Sequence, residues 1–513
     1  MRLEKSVKNI SFSFITNIIK LIILFFIRRI FLFRLGEEYL GLNGLLLNLI
    51  SMFSLIELGI GSAIGYSLYK PLAEENFKNI ASKMNFFKST YRKISLVILI
   101  VGIGVYPFIQ NIFSKNQNIE LNTIRLAYFL FIVDTAISYL FSYKKIILEA
   151  DQKTYRINII NIIFFLLTSL LQCIVLIKYN NFIFYIVVKI IFNFINNFTC
   201  SSIVDKEYKY LKKYNKLKIN KEEKKNILIN TKALMLHKIG DICINSTDNI
   251  IIAKYVNISA VGLFSNYMMI ILAFQGIIAQ IFSSLTSIIG NLIVKEDKNK
   301  AYEIFKVLNF IGFLIFGLMT VVFYNSIQIF IEVWLGKDYI IDGTFLVIIS
   351  LNMYITGMRI VTSTVKSAAG YYIQDKYSPL FQSILNLFFS IYLVKKYGLV
   401  GVISGTLISS LIPTLYRPYV LYKYLFEKKF FFYFQDYFKY LLNVILLIFI
   451  SKKIIDNLEI KNILFNLGGR IIISSIIFLT LTLLLNFKTK EFKYIKENII
   501  KKLGEKIWKK KFR

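Results

Sequence analysis

Residues 231–266 combine enough apolar length to cross a bilayer with a row of polar side chains. At about 100° per residue, His237, Asp241, Asn245 and Asp248 fall within roughly 80° of one another on a helical wheel. An ionised group at the centre of a bilayer costs on the order of 2.5–3.5 kcal/mol on insertion scales. Such a stripe must face protein or water, so we expect this helix to form one wall of a polar cavity.

Other apolar segments carry comparable polar stripes, each on one side of a helical wheel. Their members are Asn17, Lys20 and Arg28 at 10–33, Glu57 at 43–69, Asp134 at 122–147, and Asn352, Arg359 and Lys366 at 344–367. We expect these faces to line a shared cavity with the 231–266 stripe.

Two other interpretations of these charges stay open. A Lys or Arg near the end of a span often extends to the lipid headgroups, which suits Arg28, Lys145 and Lys366, and we expect Arg417 in SLIPTLYRPY to be an interfacial anchor of this kind. Deeper charges can instead form buried ion pairs that hold helices together. That alternative applies to Lys20, Glu57, Asp134, Asp241, Asp248 and Arg359.

The composition indicates an integral membrane protein. Of the 513 residues, 56% are hydrophobic and 16% aromatic, and the mean hydropathy is +0.59. The apolar residues occur in runs of about 20, the length that spans a hydrocarbon core. A formal charge of +33 would suggest nucleic acid binding in a soluble protein. Here the cations lie mostly in loops on one side, so we expect no nucleic acid partner.

We therefore predict an all-α polytopic membrane protein with about fourteen transmembrane helices. The predicted spans are 10–33, 43–69, 94–113, 122–147, 157–177, 182–204, 231–254, 263–294, 303–334, 344–367, 379–394, 399–421, 438–456 and 463–487. The loops that face the same way as the basic N-terminus are rich in Lys and Arg, which places both termini in the cytoplasm.

The spans divide at the longest basic loop. We predict an N-terminal lobe of six helices at 1–204, a cytoplasmic linker at 205–230, a second six-helix lobe at 231–426, two further helices at 427–487, and a basic tail at 488–513 that lies on anionic membrane lipids. Gly41-Leu42 and Gly262-Leu263 form a weak internal repeat, 221 residues apart. Since each lobe has an even number of spans, a pseudo-two-fold axis along the membrane normal should relate them.

Several kinds of chemistry have no sequence support. Cys173, Cys200 and Cys243 lie in apolar segments without CxxC spacing, and the chain has a single His, so we expect neither a metal site nor a cofactor. No P-loop, G-x-S-x-G or H-E-x-x-H motif is present, and the outer loops are short. We expect no enzymatic activity and no catalytic residues.

Three stretches resemble the Wzx-type oligosaccharide flippases of bacteria, within the MATE-like superfamily of multidrug, oligosaccharidyl-lipid and polysaccharide exporters. EEYLGLNGLLLNLISMFSLIELGIGSAIGYSLYKPLAEEN (37–76) is similar to their second span and the loop after it. STDNIIIAKYVNISAVGLFSNYMMI (246–270) is similar to their connection between spans 7 and 8, and IFIEVWLGKDY (329–339) to the exit of span 9.

The resemblance implies a protein of the bacterial cytoplasmic membrane that moves undecaprenyl-diphosphate-linked sugar repeat units to the outer leaflet by alternating access, for lipopolysaccharide or capsule synthesis. Contact with the polysaccharide polymerase machinery would follow. As substrate-binding candidates we take Asn17, Lys20, Arg28, Asn352, Arg359 and Lys366, since cations neutralise a diphosphate. As binders of a coupling proton or sodium ion we take Glu57, Asp134, Asp241 and Asp248. A multidrug exporter of the same fold is the alternative, and a membrane glycan polymerase or acyltransferase is a third hypothesis.

Overall fold

The computed structural model describes the backbone of residues 2–57, 60–112, 119–151, 153–341, 343–458 and 460–497. Within these ranges it leaves out the side chains of 2–14, 62, 230, 232–238, 240–243, 245 and 287. The predictions for the side chains of His237, Asp241 and Asn245, and for the last part of the basic tail, lie outside the described residues.

The regular structure of the described residues is helical throughout. Nine of the described helices are long and apolar enough to cross a membrane. The α-helices are α1 Arg2–Phe53, α2 Ile60–Ala73, α3 Phe77–Val105, α4 Leu121–Ala150, α5 Thr154–Tyr179, α6 Phe182–Glu207, α7 Tyr210–Lys213, α8 Lys221–Tyr255, α9 Ile258–Lys295, α10 Lys298–Trp334, α11 Gly343–Ala368, α12 Ser378–Val420, α13 Phe431–Asp456, α14 Ile463–Asn486 and α15 Lys490–Ile495.

The predicted all-α polytopic membrane fold is confirmed for the described residues, in which the fourteen predicted spans lie mainly on helices. Two of the helices each hold two spans. α1 breaks at Gly36, with φ +84°, and α12 breaks at Gly398, with φ +55°. Backbone in this left-handed region favours glycine, which explains why the chain can reverse there without a longer loop.

Several helices extend beyond the predicted spans. α3 begins at Phe77, where the Asn76 side chain accepts a hydrogen bond from the Asn79 amide. α8 begins at Lys221 with Asn220 as its cap and two glutamates in its first turn. Caps and first-turn acids stabilise helix starts that hydropathy does not reveal, so much of the predicted linker at 205–230 is helical.

The described residues form two compact units, taken separately below. The first unit comprises Met1–Met268 with Val394–Leu399. Its core lies between α2, α3, α4 and α6, where Leu68, Phe87, Ile147 and Val204 are fully buried. This core fixes the positions of α2, α3 and α4, whose polar faces form a cavity described below.

Two glycines of the internal repeat contact each other inside the first unit. A Cβ atom on Gly41 would stand 1.9 Å from the carbonyl oxygen of Ile258, and one on Gly262 would stand 2.4 Å from the carbonyl oxygen of Glu37. The contact is reciprocal, because Ile258 and Glu37 are also 221 residues apart. A two-fold axis between the two segments produces such a pattern.

The second unit comprises Met269–Leu393 and Val400–Arg513. Aromatic side chains from α10, α13 and the helical turn Leu421–Phe426 after α12 dominate its core; Phe313 stacks on Tyr440 with ring centroids 4.5 Å apart. Further towards the C-terminal end of α10, buried Asn325 donates hydrogen bonds to Ser451 Oγ (2.8 Å) and Ser474 Oγ (3.0 Å). These bonds connect α10 to α13 and α14, the last two long helices.

Candidate functional site

The second unit contains a cavity of about 410 Å³, which we call the arginine cavity. α9, α11 and α12 line it, and its polar members are Gln275, Ser283, Thr356, Arg359, Ser363 and Arg417 among others. Gln275 donates from Nε2 to Thr356 Oγ1 (2.9 Å), which connects α9 and α11 in the cavity lining. Hydroxyl groups and guanidinium groups thus share one wall inside an apolar helical unit.

A buried carboxylate holds one of the two arginines. Arg417 donates from Nε to Asp375 Oδ2 (3.1 Å) and from Nη1 to Ser363 Oγ (2.7 Å). Asp375 is fully buried and also forms an ion pair with Lys366, which is 5% exposed. Lys366 therefore does not extend to the headgroups, and its ammonium is held by Asp375. Arg417, expected to be an interfacial anchor, lines the cavity, and its place relative to the membrane interface stays a prediction.

The other arginine lies on α11. Arg359 Nη1 donates to Gln382 Oε1 at 3.3 Å, and Gln382 is buried. Asn352, two turns earlier on α11, does not belong to the cavity lining. With Lys366 and Asp375 beside them, the arginine side chains give this region more positive than negative charge. Arginine forms paired hydrogen bonds with phosphate oxygens, so the arginine cavity can bind an anionic phosphate or diphosphate.

The first unit contains a larger cavity of about 1100 Å³, which we call the tyrosine cavity. α2, α3 and α4 line it, from the level of Glu57 to the last turns of α2 and α4. Its polar members include four tyrosines and three charged side chains. These are Tyr66, Tyr69, Tyr91, Tyr139, Glu57, Lys145 and Glu149.

Two tyrosines hold the Glu57 carboxylate. Tyr91 donates to Oε1 (3.0 Å) and Tyr139 donates to Oε2 (3.2 Å). Lys145 Nζ donates to Asn197 Oδ1 (2.7 Å), whereas Glu149 is exposed within the cavity. The tyrosine cavity therefore has two carboxylates against one ammonium, the opposite charge balance to that of the arginine cavity.

The remaining predicted residues of the first unit have other surroundings. Arg28 donates from Nε to buried Asn266 Oδ1 (2.8 Å) and from Nη2 to Ser265 Oγ, close to the Gly41–Gly262 contact. Asp134 is buried and accepts a hydrogen bond from Asn193 Nδ2 (2.6 Å). Lys20 lies over the ring of Phe165, with Nζ 6.0 Å from the centroid.

Asn17 is exposed, and Asp248 is half-buried on α8. Neither these two residues nor Lys20, Arg28 and Asp134 line the tyrosine cavity. Of the predicted site residues, Glu57 and Arg359 are the two that line either cavity in the part of the chain that the structure describes. The other assignments stay predictions.

Sequence reasoning missed Asp375 and the four cavity tyrosines. Asp375 lies in the turn between α11 and α12, and no pattern in the sequence connects it to Arg417, 42 residues later. Tyrosine gives no signal by itself, because the chain has 33 of them. Among the residues with described side chains, no group of three or more His, Cys, Asp or Glu is placed to hold a metal ion.

Solved structures of membrane transporters share this fold. One, described as the lipid II flippase MurJ in an inward closed conformation, has a TM-score of 0.69 at 18% identity, over 93% of this chain and 98% of that one. A second structure, described as the inward-facing conformation of a multidrug resistance MATE family transporter of the MOP superfamily, has a TM-score of 0.61 at 13% sequence identity. The match covers 78% of this chain and 96% of that one. A mutant of the Vibrio cholerae MATE transporter VcmN has a TM-score of 0.58 at 13% sequence identity, and the match covers 84% of this chain and 99% of that one.

No protein-family model and no curated protein matches the chain. At identities below a fifth, structural likeness establishes the fold and leaves the substrate open. The chain is therefore a multi-pass membrane protein with the fold of MurJ and the MATE transporters.

Proposed function

We propose that this protein is a flippase that moves an undecaprenyl-diphosphate-linked oligosaccharide from the inner to the outer leaflet of a bacterial cytoplasmic membrane, for surface polysaccharide synthesis. The observation that carries the proposal is the arginine cavity, in which Arg359 and Arg417 line one space within a membrane-spanning fold. A lipid diphosphate cannot cross hydrocarbon unaided, because each ionised group is costly there.

The contacts around the arginine cavity support a phosphate ligand. Asp375 and Ser363 fix Arg417 from two sides, so little side-chain freedom is lost when an anion binds. Since Asp375 also neutralises Lys366, the cluster keeps an excess of positive charge. The hydroxyls of Ser283 and Thr356 line the same space; each donates to a backbone carbonyl of its own helix, and each can donate to a phosphate or sugar oxygen once it rotates away from that carbonyl.

The proposal includes transport by alternating access, with both termini in the cytoplasm and six-helix lobes at 1–204 and 231–426. It is a transport activity without covalent chemistry. The likeness to a structure described as a lipid II flippase supports a lipid-linked substrate. Coupling to a proton or sodium ion through Glu57, Asp134, Asp241 or Asp248 is part of the same proposal.

A second candidate function has its own support. The tyrosine cavity combines two carboxylates with aromatic rings, which suits an organic cation. Two structurally similar proteins are MATE transporters, one of them described as a multidrug resistance transporter. A multidrug exporter would depend on Glu57 and Glu149 and would not need the arginines.

Reconstitution of the full chain into liposomes separates the two functions. We expect wild-type protein to move a fluorescent polyprenyl-diphosphate oligosaccharide between leaflets, and Arg359→Gln or Arg417→Gln to slow this movement at least about tenfold, the effect of 1.4 kcal/mol. Lys453→Gln, an exposed cation of α13 outside the cavity, is the matched control and should transport normally. Wild-type movement no faster than in empty liposomes, or arginine variants as fast as wild type, would refute the proposal.

A further inference from the structure

The tyrosine cavity presents two aromatic faces that the protein core does not cover. Tyr66 is 70% exposed and Tyr69 is 54% exposed, although both lie on α2 between packed helices. Their ring centroids are 5.9 Å apart and their planes meet at 76°, so the two rings form a corner. Aromatic rings combine an apolar face with a polar hydroxyl, and a sugar ring likewise has an apolar CH face and a polar rim.

Hydrogen-bonding groups line the same cavity as this corner. The Glu57 carboxylate is fixed by Tyr91 and Tyr139, and the Glu149 carboxylate is exposed to the cavity. Carboxylates accept hydrogen bonds from hydroxyl or ammonium donors. The volume of about 1100 Å³ is slightly above the usual range for ligand pockets, which leaves room for more than one sugar ring.

The charge balance of the tyrosine cavity limits which sugars it accepts. Its lining has Glu57 and Glu149 against Lys145, and the ammonium of Lys145 is already bonded to Asn197. An acidic sugar would bring a further carboxylate into a cavity that already has two against one ammonium, and like charges in a partly desolvated site repel. A neutral sugar or an amino sugar meets no such repulsion.

We infer that the tyrosine cavity binds the glycan of the substrate, and that it selects neutral or amino sugars against acidic sugars such as uronic acids. This inference rests on the proposed flippase function and adds the substrate class to it. A sugar ring of the glycan lies against the corner of Tyr66 and Tyr69, and Glu57 and Glu149, further along the same cavity, accept hydrogen bonds from hydroxyl or amino groups of the glycan.

The test uses full-length protein in liposomes with three substrates that share one polyprenyl diphosphate. All three carry the same oligosaccharide except for its terminal sugar, which is N-acetylglucosamine, glucosamine or glucuronic acid. We expect the neutral and amino forms to move at least about tenfold faster than the acidic form. Glu149→Gln should reduce this ratio severalfold, and Tyr66→Leu should slow all three substrates.

Matched controls lie in the same unit outside the cavity. Glu120→Gln removes an exposed carboxylate directly before the first residue of α4, at the opposite end of that helix from Glu149. Tyr179→Leu removes a 63% exposed tyrosine at the last residue of α5. Both should keep the wild-type rates and ratio. The wild-type ratio tests the inference even if a cavity variant fails to fold, which its elution in detergent would reveal.

The outcomes distinguish the inference from the proposed function. If none of the three substrates moves, the flippase function itself is wrong. If all three move at equal rates, or the acidic one moves fastest, the protein is a flippase but the inferred selectivity is wrong. An unchanged ratio in well-folded Glu149→Gln protein would also overturn the inference.

Discussion

Substitution of Gly41 by alanine tests the close contact between the two repeat segments. The new Cβ would stand 1.9 Å from the Ile258 carbonyl oxygen, whereas an ordinary C···O contact is about 3.3 Å. The helices would have to separate by roughly 1.4 Å, since backbone atoms cannot rotate away as a side chain can. Overpacking of this kind costs about 1–3 kcal/mol, and the better helix propensity of alanine offsets up to about 1 kcal/mol. The expected net loss of stability is about 1–2 kcal/mol.

Gly44, one turn later on the same helix, provides the matched control. A Cβ atom there would meet only Val261 Cγ1, at an ordinary 3.9 Å. Gly44→Ala should therefore stabilise the protein by about 0.5–1 kcal/mol through helix propensity alone. Thermal unfolding of both purified variants in detergent measures the difference. Equal shifts in the two variants, or a stabilised Gly41→Ala protein, would refute the contact geometry.

Three further predictions follow from the second unit. Asp375→Asn leaves buried Lys366 without its carboxylate and weakens the hold on Arg417, so the protein should lose about 3–5 kcal/mol of stability; normal thermal unfolding would contradict the buried ion pair. Arg417→Lys keeps the charge but cannot form paired hydrogen bonds with phosphate and cannot reproduce both bonds to Asp375 and Ser363, so liposome transport should fall severalfold with some loss of stability, and full activity would argue against phosphate contact. Asn325→Leu removes two bonds to α13 and α14, each worth about 0.6 kcal/mol, and unchanged stability would show that these bonds do not hold the helices.

Much of the fold follows from hydrophobic runs alone. Runs of about 20 apolar residues specify the fourteen spans, because a membrane helix must satisfy its backbone hydrogen bonds internally. The ends of the helices cannot be predicted from hydrophobic runs. The N-terminal parts of α3 and α8 are polar sequence, and their first residues are set by the capping side chains of Asn76 and Asn220. The Gly41 and Gly262 match indicated a repeat, but only the structure shows that these glycines contact each other.

The candidate sites were harder to predict. Arg359 and Glu57 carry a visible signal, because a charge deep in an apolar run requires a polar surrounding. Arg417 lies near a span end between two prolines, which is typical of an interfacial residue; its partner Asp375 comes from a turn that no periodicity connects to it. The exposed rings of Tyr66 and Tyr69 depend on how α2 packs, which a single sequence does not encode as a local pattern.

The most direct test of the flippase function is the sidedness of lipid-linked sugars in cells that lack the gene. Mass spectrometry, combined with an enzyme or label that reaches only the outer leaflet, measures which leaflet holds the complete repeat units. The proposed function predicts complete units that accumulate on the inner leaflet and become accessible again when the wild-type gene is restored. Complete units that reach the outer leaflet as in wild-type cells would contradict it.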